Sequence, residues 1–435
     1  MPRWLYVLIQ LTRRLWVRTA LFTLLALAAA AAAWLFEPWV PDSIGELLGG
    51  EAVERLLSIL ASSMLVITTF SLGTMVSAFQ AAAGLATPRV APLMVEGSVA
   101  LHAISTFVGT FVFSVTGIVA IDSGLIGTGG RALMFIFSFA ILSVVVITLI
   151  RWVDDVSRLG QIHDTLRTIE LSTREALDSD PLSRPGLGHA YTSLPEGHDV
   201  YANGVGFVQT IDFKAIDEAR AGLDLEIYLT AWPGSFCHRH RQLCRIVPPA
   251  MPDPRGDTDV KSILDDALQR VASAISAAFV IGPRRTLLQD PRYGFTLMGE
   301  VAAKALSPGV NDPGTAIDAI VSATRTLDFW QRECTARDPQ TQYDWLYANP
   351  LAFDDLAPEF FETLIRHGAN DASVMLRLYK SLEAIAQLAP QGRATIERLA
   401  VLSHARCQAA QLIDDERLRL TRANAALIEH LRVRV

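Results

Sequence analysis

Residues 56–79 read LLSILASSMLVITTFSLGTMVSAF and decide the fold class. No charged side chain interrupts this stretch, and at about 1.5 Å per residue it is long enough to cross a bilayer as a helix. On a helix at about 100° per residue, its small polar positions and the following Gln80 share one arc of the surface. We call five of these positions the hydroxyl stripe: Ser58, Ser62, Thr69, Gly73 and Ser77. The stretch predicts a membrane span with one lipid-compatible side and one hydroxyl-lined side.

The composition indicates two regions of different kind. Of the 435 residues, 51% are hydrophobic and 19% are charged, which is too apolar for an ordinary soluble protein and too charged for an all-membrane one. A net charge of −7 without a basic run argues against nucleic-acid binding. Four cysteines without an even-spaced framework fit reduced thiols in a cytoplasmic domain. We therefore expect a membrane domain followed by a soluble one.

Three further apolar stretches complete a predicted set of four spans. Thr19–Phe36 is span one, 56–79 is span two, Val99–Ile121 is span three and Ala132–Ile150 is span four. Residues 1–18, which are basic and rich in Trp and Tyr, predict an amphipathic helix lying at the membrane interface. A cleaved signal peptide is the alternative for the first span, although Trp34-Leu-Phe stands where a small-residue cleavage site is expected.

The distribution of arginine predicts the orientation. With a cytoplasmic N-terminus, the outside segments hold only Arg55 and Arg131, and the inside segments hold seven arginines: Arg3, Arg13, Arg14, Arg18, Arg89, Arg151 and Arg158. Positive charge accumulates on the cytoplasmic side of membrane proteins. We therefore expect a multi-pass membrane protein with N- and C-termini cytoplasmic.

Span three repeats the polar theme of span two, because Thr106, Thr110 and Ser114 follow at four-residue steps. Two interpretations stay open for both spans. Small residues at this spacing let helices pack closely, within one subunit or between subunits. Alternatively, hydroxyls that face a bundle interior line a solute or ion route. Spans two to four carry no Asp, Glu, Lys or Arg apart from their ends, which argues against a proton- or sodium-coupled transporter.

The fold predicted from these patterns is a mainly α membrane protein with a cytoplasmic α+β domain. That domain combines a small β module, barrel-sandwich-like, with a C-terminal helical bundle. The helices of the bundle are predicted at Pro358–His367, Ala372–Leu388 and Arg393–Leu431, the last with a break near Ile413. The expected parts are an interfacial helix at 1–18, the four-helix transmembrane domain at 19–151, a stalk helix and linker at 152–199, the β module at 200–250 and the helical domain at 259–435.

The β module has three runs of strand composition, Val200–Ile211, Leu223–Thr230 and Phe236–Val247, and a short helix at Phe213–Ala221. This stretch resembles the half-motif of a barrel-sandwich hybrid, as in biotinyl/lipoyl-like and membrane-fusion-protein domains. The turn that would carry biotin or lipoate reads Trp232-Pro-Gly-Ser, without a lysine. We therefore expect no cofactor.

Two thiols and two imidazoles within the last of these runs raise the question of a metal site: Cys237, His238, His240 and Cys244. Thiolates and imidazoles are the ligands that zinc prefers. In a strand, however, successive side chains point to opposite faces, so Cys237 and His238 diverge. We expect a half-exposed hairpin here and no metal site.

Residues 283–320 hold the densest cluster of polar and turn residues. A helix is predicted at Phe295–Leu306, and Asp312 as N-cap with Pro313 predicts a second helix to about Arg337. The residues serve either as turns and caps or as an anion site at the second helix start. A hard cation held by Asp290, Glu300 and Asp318 is a further option. The candidate ligand-binding residues are Arg284, Arg285, Asp290, Arg292, Glu300, Asn311, Asp312 and Thr315.

Three segments carry a resemblance to a known family: QDPRYG at 289–294, ALSPGVNDPGTAID at 305–318, and ASSMLVITTFSLGTMVSAFQ at 61–80 with the following ATPRV. On these the chain resembles the DUF2254 family of predicted bacterial membrane proteins, from Trp4 to about Leu412. The resemblance implies a four-span inner-membrane protein with a cytoplasmic domain and carries no established activity. Leu287-Leu288 departs from the expected aromatic and polar pair without affecting membership.

Three function hypotheses follow. The first is an oligomeric channel or pore-like protein with a cytoplasmic gating or assembly domain. The second is a membrane-tethered sensor or scaffold that binds an anionic ligand or a protein through residues 283–320. A membrane enzyme ranks last, because no spacing matches a P-loop, a zincin or a Ser-His-Asp site. The expected partners are the lipid bilayer, further copies of the chain and a small anionic ligand, without nucleic acid.

Overall fold

The computed structural model describes residues 15–40, 52–85, 87–90, 93, 99–158, 162–183, 185–220, 223–248, 258–336 and 341–433. Contacts divide the chain into two units, an N-terminal unit, Val7–Thr165, and a C-terminal unit, Leu166–Val435. Residues 1–14 of the interfacial helix predicted at 1–18 lie outside the described residues.

The N-terminal unit contains four described helices: α1 (Leu15–Leu35), α2 (Ala52–Leu85), α3 (Val99–Asp122) and α4 (Thr128–Arg158). Among the described residues, α2, α3 and α4 are long and apolar enough to cross a membrane, with spanning parts at Ala52–Ser77, Leu101–Asp122 and Thr128–Val156. This confirms spans two to four as apolar helices. The apolar part of α1, Thr19–Leu35, is shorter. A fourth span therefore stays a prediction.

Helix α3 is the central helix of this unit, since it packs against α1, α2 and α4. Small residues make the close approach possible. A Cβ on Gly109 would lie 3.2 Å from the backbone oxygen of Phe22 in α1. A Cβ on Gly117 would overlap the side chain of Met134 in α4 and approach Leu57 in α2. The small residues of span three thus serve helix packing within one chain.

These contacts give a matched pair of glycine variants. Gly109→Leu is expected to destabilise the N-terminal unit by about 1–3 kcal/mol, because the side chain has no room against α1. Gly73→Leu is expected to leave the unfolding temperature of a single chain unchanged, because nothing lies within 4 Å of a Cβ at Gly73. Thermal unfolding of monomeric protein in detergent checks both variants. Equal losses in the two variants would contradict the packing described here.

Two small sheets form the β part of the C-terminal unit. Their strands are β1 (His198–Tyr201), β2 (Gly206–Ile211), β3 (Glu226–Leu229), β4 (Phe236–Cys237), β5 (Gln242–Val247), β6 (Phe279–Gly282) and β7 (Leu346–Tyr347). One sheet has the order β1-β5-β3-β7 and the other β4-β2-β6. Neighbouring strands are antiparallel except β3 and β7, which pair in parallel with Ile227 beside Leu346. The barrel-sandwich-like arrangement is not confirmed, and β6 and β7 lie outside residues 200–250.

The helices of this unit are α5 (Ile162–Ser179, which begins in the N-terminal unit), α6 (Phe213–Arg220), α7 (Thr258–Ala278), α8 (Pro291–Ala305), α9 (Pro313–Ala336), α10 (Phe353–Gly368), α11 (Ala372–Leu388), α12 (Arg393–Gln408) and α13 (Asp414–Val433). The prediction of α11 is confirmed, as is the break before Asp414. Helix α8 begins four residues before the predicted Phe295, because Asp290 caps it and Pro291 takes the first position. Helix α10 likewise begins earlier than predicted and accommodates Pro358.

Candidate functional site

The hydroxyl stripe lies on the outer face of the N-terminal unit. All five of its residues are exposed, although α2 is packed against α3 and α4 on its other side. Residues on that packed side, such as Leu57 and Met64, are buried. The stripe is therefore available to lipid, water or another protein surface.

Two of the stripe hydroxyls, those of Ser62 and Thr69, donate to carbonyl oxygens of their own helix. Ser62 Oγ donates to the carbonyl oxygen of Ser58 at 2.9 Å, and Thr69 Oγ1 donates to that of Val66 at 2.9 Å. Such back-bonding satisfies a hydroxyl where water is scarce. These two hydroxyls can thus face an apolar or a wet environment without becoming unpaired donors.

The candidate hydroxyls of span three have a different placement. Thr106, Thr110 and Ser114 are buried, and each donates to the carbonyl oxygen four residues earlier at 2.9 Å. They point into the packed helices and not onto the surface that carries the stripe. The two sets of predicted pore-lining residues are therefore not brought together within one chain.

In the C-terminal unit, Asp290 of QDPRYG forms an ion pair with Arg285 at the start of α8. Arg285 holds Asp290 with two hydrogen bonds, Nε to Oδ2 at 2.7 Å and Nη2 to Oδ1 at 3.0 Å. The Asp290 side chain is 1% exposed and also accepts from the amide of Tyr293 at 3.3 Å. The Arg285 guanidinium lies 5.1 Å from the Tyr293 ring centre. Asp290 is therefore both the helix cap and half of an ion pair.

The turn after β3 closes over this pair. Arg292 Nη2 donates to the carbonyl oxygen of Pro233 at 3.1 Å. Gly234 has φ +88°, which favours glycine, and a Cβ there would lie 2.2 Å from Asp290 Oδ2. The Trp232-Pro-Gly-Ser turn, predicted only as a tight hairpin turn, is thus a lid on Asp290.

Two more residues of QDPRYG, which we call the hexapeptide, contact further elements. The buried Gln289 side chain accepts from the amide of Ile211 in β2 at 2.8 Å. Gly294 lies against Thr173 of α5, where a Cβ would overlap the threonine side chain. The hexapeptide therefore fastens β2, α5 and α8 together, and its residues act here in structure.

Sequence reasoning missed one residue of this region, Asp180, which follows α5. Its side chain is buried and accepts from the amide of Leu182 and the hydroxyl of Ser183, both at 3.1 Å. Burial raises the pKa of this carboxyl to about 7, against the opposing effects of these two donors and of Arg292. The only local signal was an Asp-Pro at the start of a segment with linker composition.

The second motif lies at the other end of α8. Asp312 Oδ1 accepts from the amide of Thr315 at 3.1 Å and Oδ2 from its hydroxyl at 2.6 Å. The Thr315 hydroxyl and amide hold the pKa of Asp312 below its usual value. Asn311 has φ +51° in the preceding turn. The carboxylate of Asp312 thus occupies the helix start where an external anion would bind.

The eight predicted ligand-binding residues therefore do not form one site. Over the 15 residues of α8, at about 1.5 Å each, the two motifs are about 22 Å apart. Glu300 lies between them and Arg284 is exposed. Within the described ranges, no group of three or more His, Cys, Asp and Glu side chains is placed to hold a metal ion. Of the eight, Arg285, Asp290 and Arg292 form one cluster, and Asn311, Asp312 and Thr315 form the other.

The two cysteines considered as zinc ligands lie in different sheets, and the two histidines lie in the turn between them. Cys237 lies in β4 and Cys244 in β5, and both are buried. His238 and His240 are exposed in the turn between these strands, with ring centres 6.3 Å apart. Burial raises the pKa of the Cys244 thiol, which keeps it protonated and weakens it as a metal ligand.

An open cleft of about 450 Å³ lies beside α6 and β3. Its charged lining consists of Asp217, Arg220, Asp224, Glu226 and Asp344. The Arg220 guanidinium lies 5.2 Å from the Trp345 ring centre, where it forms a cation–π contact. The chain's own cation thus occupies the aromatic wall of this acidic cleft.

Comparison with known proteins places the chain in a family. Three uncharacterised proteins, one from Mycobacterium bovis and two from strains of Mycobacterium tuberculosis, are 32% identical to it over 115 residues, which is 25% of this chain. The matched part spans about a fifth (21%) of the length of each relative. No solved structure matches the chain. The family described as "Predicted membrane protein (DUF2254)" matches residues 12–384, and the chain belongs to this family.

Proposed function

We propose that this membrane protein assembles from several copies through the outer face of α2, and that the hydroxyl stripe lines a pore-like route for a polar solute or ion. The observation that carries the proposal is the exposure of all five stripe residues on the outside of the packed helices. A face that contacts only lipid has no need of a row of small and hydroxyl-bearing residues. Such residues favour close helix contacts or a polar route.

The chemistry of the spans fits passive passage better than ion-coupled transport. No Asp, Glu, Lys or Arg lies within residues 56–79, 100–121 or 132–150. The interior of one chain is occupied by buried side chains such as Phe107 and Phe113. A route along the stripe therefore needs neighbouring copies of α2 around a shared axis.

We further propose that the protein lies in the bacterial inner membrane with four spans and with both termini in the cytoplasm. The support is the excess of arginine in the segments this orientation places inside. The C-terminal unit would then serve assembly or gating from the cytoplasmic side. The alternative of an anion-binding sensor at residues 283–320 has less support, because Asp290 and Asp312 already fill the two helix starts.

Solute flux into liposomes tests the proposed pore. Ser62→Leu and Thr69→Leu are expected to lower the flux at least tenfold, because each replaces a stripe hydroxyl with a bulky apolar group. Ser143→Leu is the matched control, because Ser143 is an exposed serine of α4 that donates to the Phe139 carbonyl oxygen in the same way. Flux that is absent from the unmodified protein, or lowered equally by all three changes, would contradict the pore.

Assembly is tested separately by cross-linking in membranes. Ser62→Cys is expected to give cross-links between copies, and Ser143→Cys is expected to give none. Cross-linking at Ser62 without flux would support assembly through α2 and contradict the pore. Flux without cross-linking would contradict α2 as the contact between copies.

A further inference from the structure

The turn formed by residues 180–183 joins three parts of the C-terminal unit. Asp180 organises the turn through its two hydrogen bonds, to the Leu182 amide and the Ser183 hydroxyl. The Ser183 carbonyl oxygen accepts from Trp330 Nε1 of α9 at 2.9 Å. Ser179, the last residue of α5, donates from Oγ to the carbonyl oxygen of Leu288 at 3.0 Å. Leu288 lies two residues before Asp290. The end of α5 is therefore held to α9 and to the start of α8 through this turn.

Asp180 is buried beside charged groups at the start of α8. On the α8 side it faces the carboxylate of Asp290 and the guanidinium of Arg292. Asp290 is already paired with Arg285, and Arg292 donates to Pro233. On the α9 side, Trp330 and Cys334 both donate to the Ser183 carbonyl oxygen. An ionised Asp180 is thus a second buried negative charge beside Asp290, with Arg292 as its one facing cation among the described residues.

We propose that Asp180 is a pH-sensitive switch that controls how firmly the 180–183 turn holds the end of α5 against the start of α8. With its proton in place, the carboxyl group keeps both hydrogen bonds through its oxygens and adds no charge beside Asp290. When the proton leaves to solvent, a charged carboxylate is left buried and out of contact with water. The two hydrogen bonds and Arg292 offset this cost only in part and Asp290 adds to it, so the turn opens more readily. Since α5 follows α4 in the chain, the switch acts on the segment that leads away from the last membrane helix.

The sign of the pH dependence follows from linkage. Burial places the pKa of Asp180 at about 7 in the closed turn, against an ordinary value of 3.8 when the side chain is exposed to water. The closed turn therefore binds more protons between these two values. Its contribution to stability is present at low pH, falls as the pH rises from about 4 to about 7, and levels off above that. The opening equilibrium rises about tenfold per pH unit within this window.

Hydrogen–deuterium exchange of the full chain in detergent measures this opening in peptides that cover residues 179–184 and 288–293. Asp180→Asn keeps the shape and an accepting oxygen but cannot ionise, so its opening is expected to be independent of pH after correction for intrinsic exchange. The unmodified protein is expected to open about tenfold more per unit between about pH 5 and pH 7. Asp178→Asn, which removes an exposed carboxylate two residues earlier, is expected to behave like the unmodified protein.

An infrared titration gives a second readout that does not depend on folding of a variant. The unmodified protein is expected to lose a protonated-carboxyl C=O band with a midpoint near pH 7, and Asp178→Asn is expected to keep the same titrating band. Parallel exchange profiles for Asp180→Asn and the unmodified protein would overturn the proposal. The absence of a carboxyl band that titrates near neutral pH in the unmodified protein would overturn it as well.

Discussion

Arg285→Ala is expected to destabilise the C-terminal unit by about 3 kcal/mol, the largest effect we expect from a single surface-accessible side chain. Removing this arginine leaves the Asp290 carboxylate, 1% exposed, without its cation. Loss of one partner from a buried pair costs about 3–5 kcal/mol, because the remaining charge is uncompensated. We expect a destabilisation at the low end of this range, since Asp290 keeps its hydrogen bond from the Tyr293 amide. For a unit of this size the unfolding temperature falls by about 5 °C.

The neighbouring Arg284 is a matched control for this variant. Its side chain is exposed, and its backbone carbonyl oxygen accepts from Gln209 Nε2 at 2.8 Å. Arg284→Ala therefore removes the same charge and is expected to change the unfolding free energy by less than about 0.5 kcal/mol. Differential scanning fluorimetry of both variants checks the contrast. A similar loss in both would mean that net charge, and not the pair with Asp290, determines stability.

Gly294→Ala is expected to destabilise the same unit by about 1–3 kcal/mol through overpacking. A Cβ at this position would lie 1.9 Å from Thr173 Oγ1 and 2.7 Å from its Cβ. Thr173 is fully buried and donates to the Ile169 carbonyl oxygen at 2.6 Å, so it has little freedom to move aside. The two helices α5 and α8 would have to separate.

Thr173→Ala provides the test of this cause. Combined with Gly294→Ala, it removes the atoms that the new methyl group meets, so the double variant is expected to be more stable than the sum of the two single changes predicts. A double-mutant cycle from urea unfolding should give a coupling of about 1 kcal/mol or more between the two sites. Strict additivity would show that the glycine serves another purpose, such as backbone freedom.

Local chemistry made part of this architecture predictable. Asp312 followed by Pro313 signals a helix start within a few residues, and the helix begins there. The spans follow from uninterrupted apolar stretches. At Asp290 the same signal was read as a turn, because Pro291 and Gly294 both favour turns, and the helix start was misplaced to Phe295. The sequence Asp290-Pro291 indicates a helix cap, but it does not indicate that Asp290 pairs with Arg285 five residues earlier.

The rest depended on contacts between distant parts of the chain. The strands at 279–282 and 346–347 join sheets whose other members lie at 198–247, and no local pattern encodes such pairing. In a membrane, lipid and protein surfaces are equally apolar, so periodicity located the hydroxyl stripe but not its outward direction. Asp180 was missed because burial of a carboxyl group next to a proline turn leaves no trace in composition.

The two motifs at the ends of α8 differ in how far their hydrogen bonds reach. Asp312 completes its bonds within four residues, whereas the hexapeptide at 289–294 depends on Thr173, Ile211 and Pro233 from three other elements. In a chimaera between relatives, the segment around Asp312 could be exchanged as a self-contained cassette. The hexapeptide could not, and over evolutionary time its substitutions should be tolerated only together with changes in those distant partners.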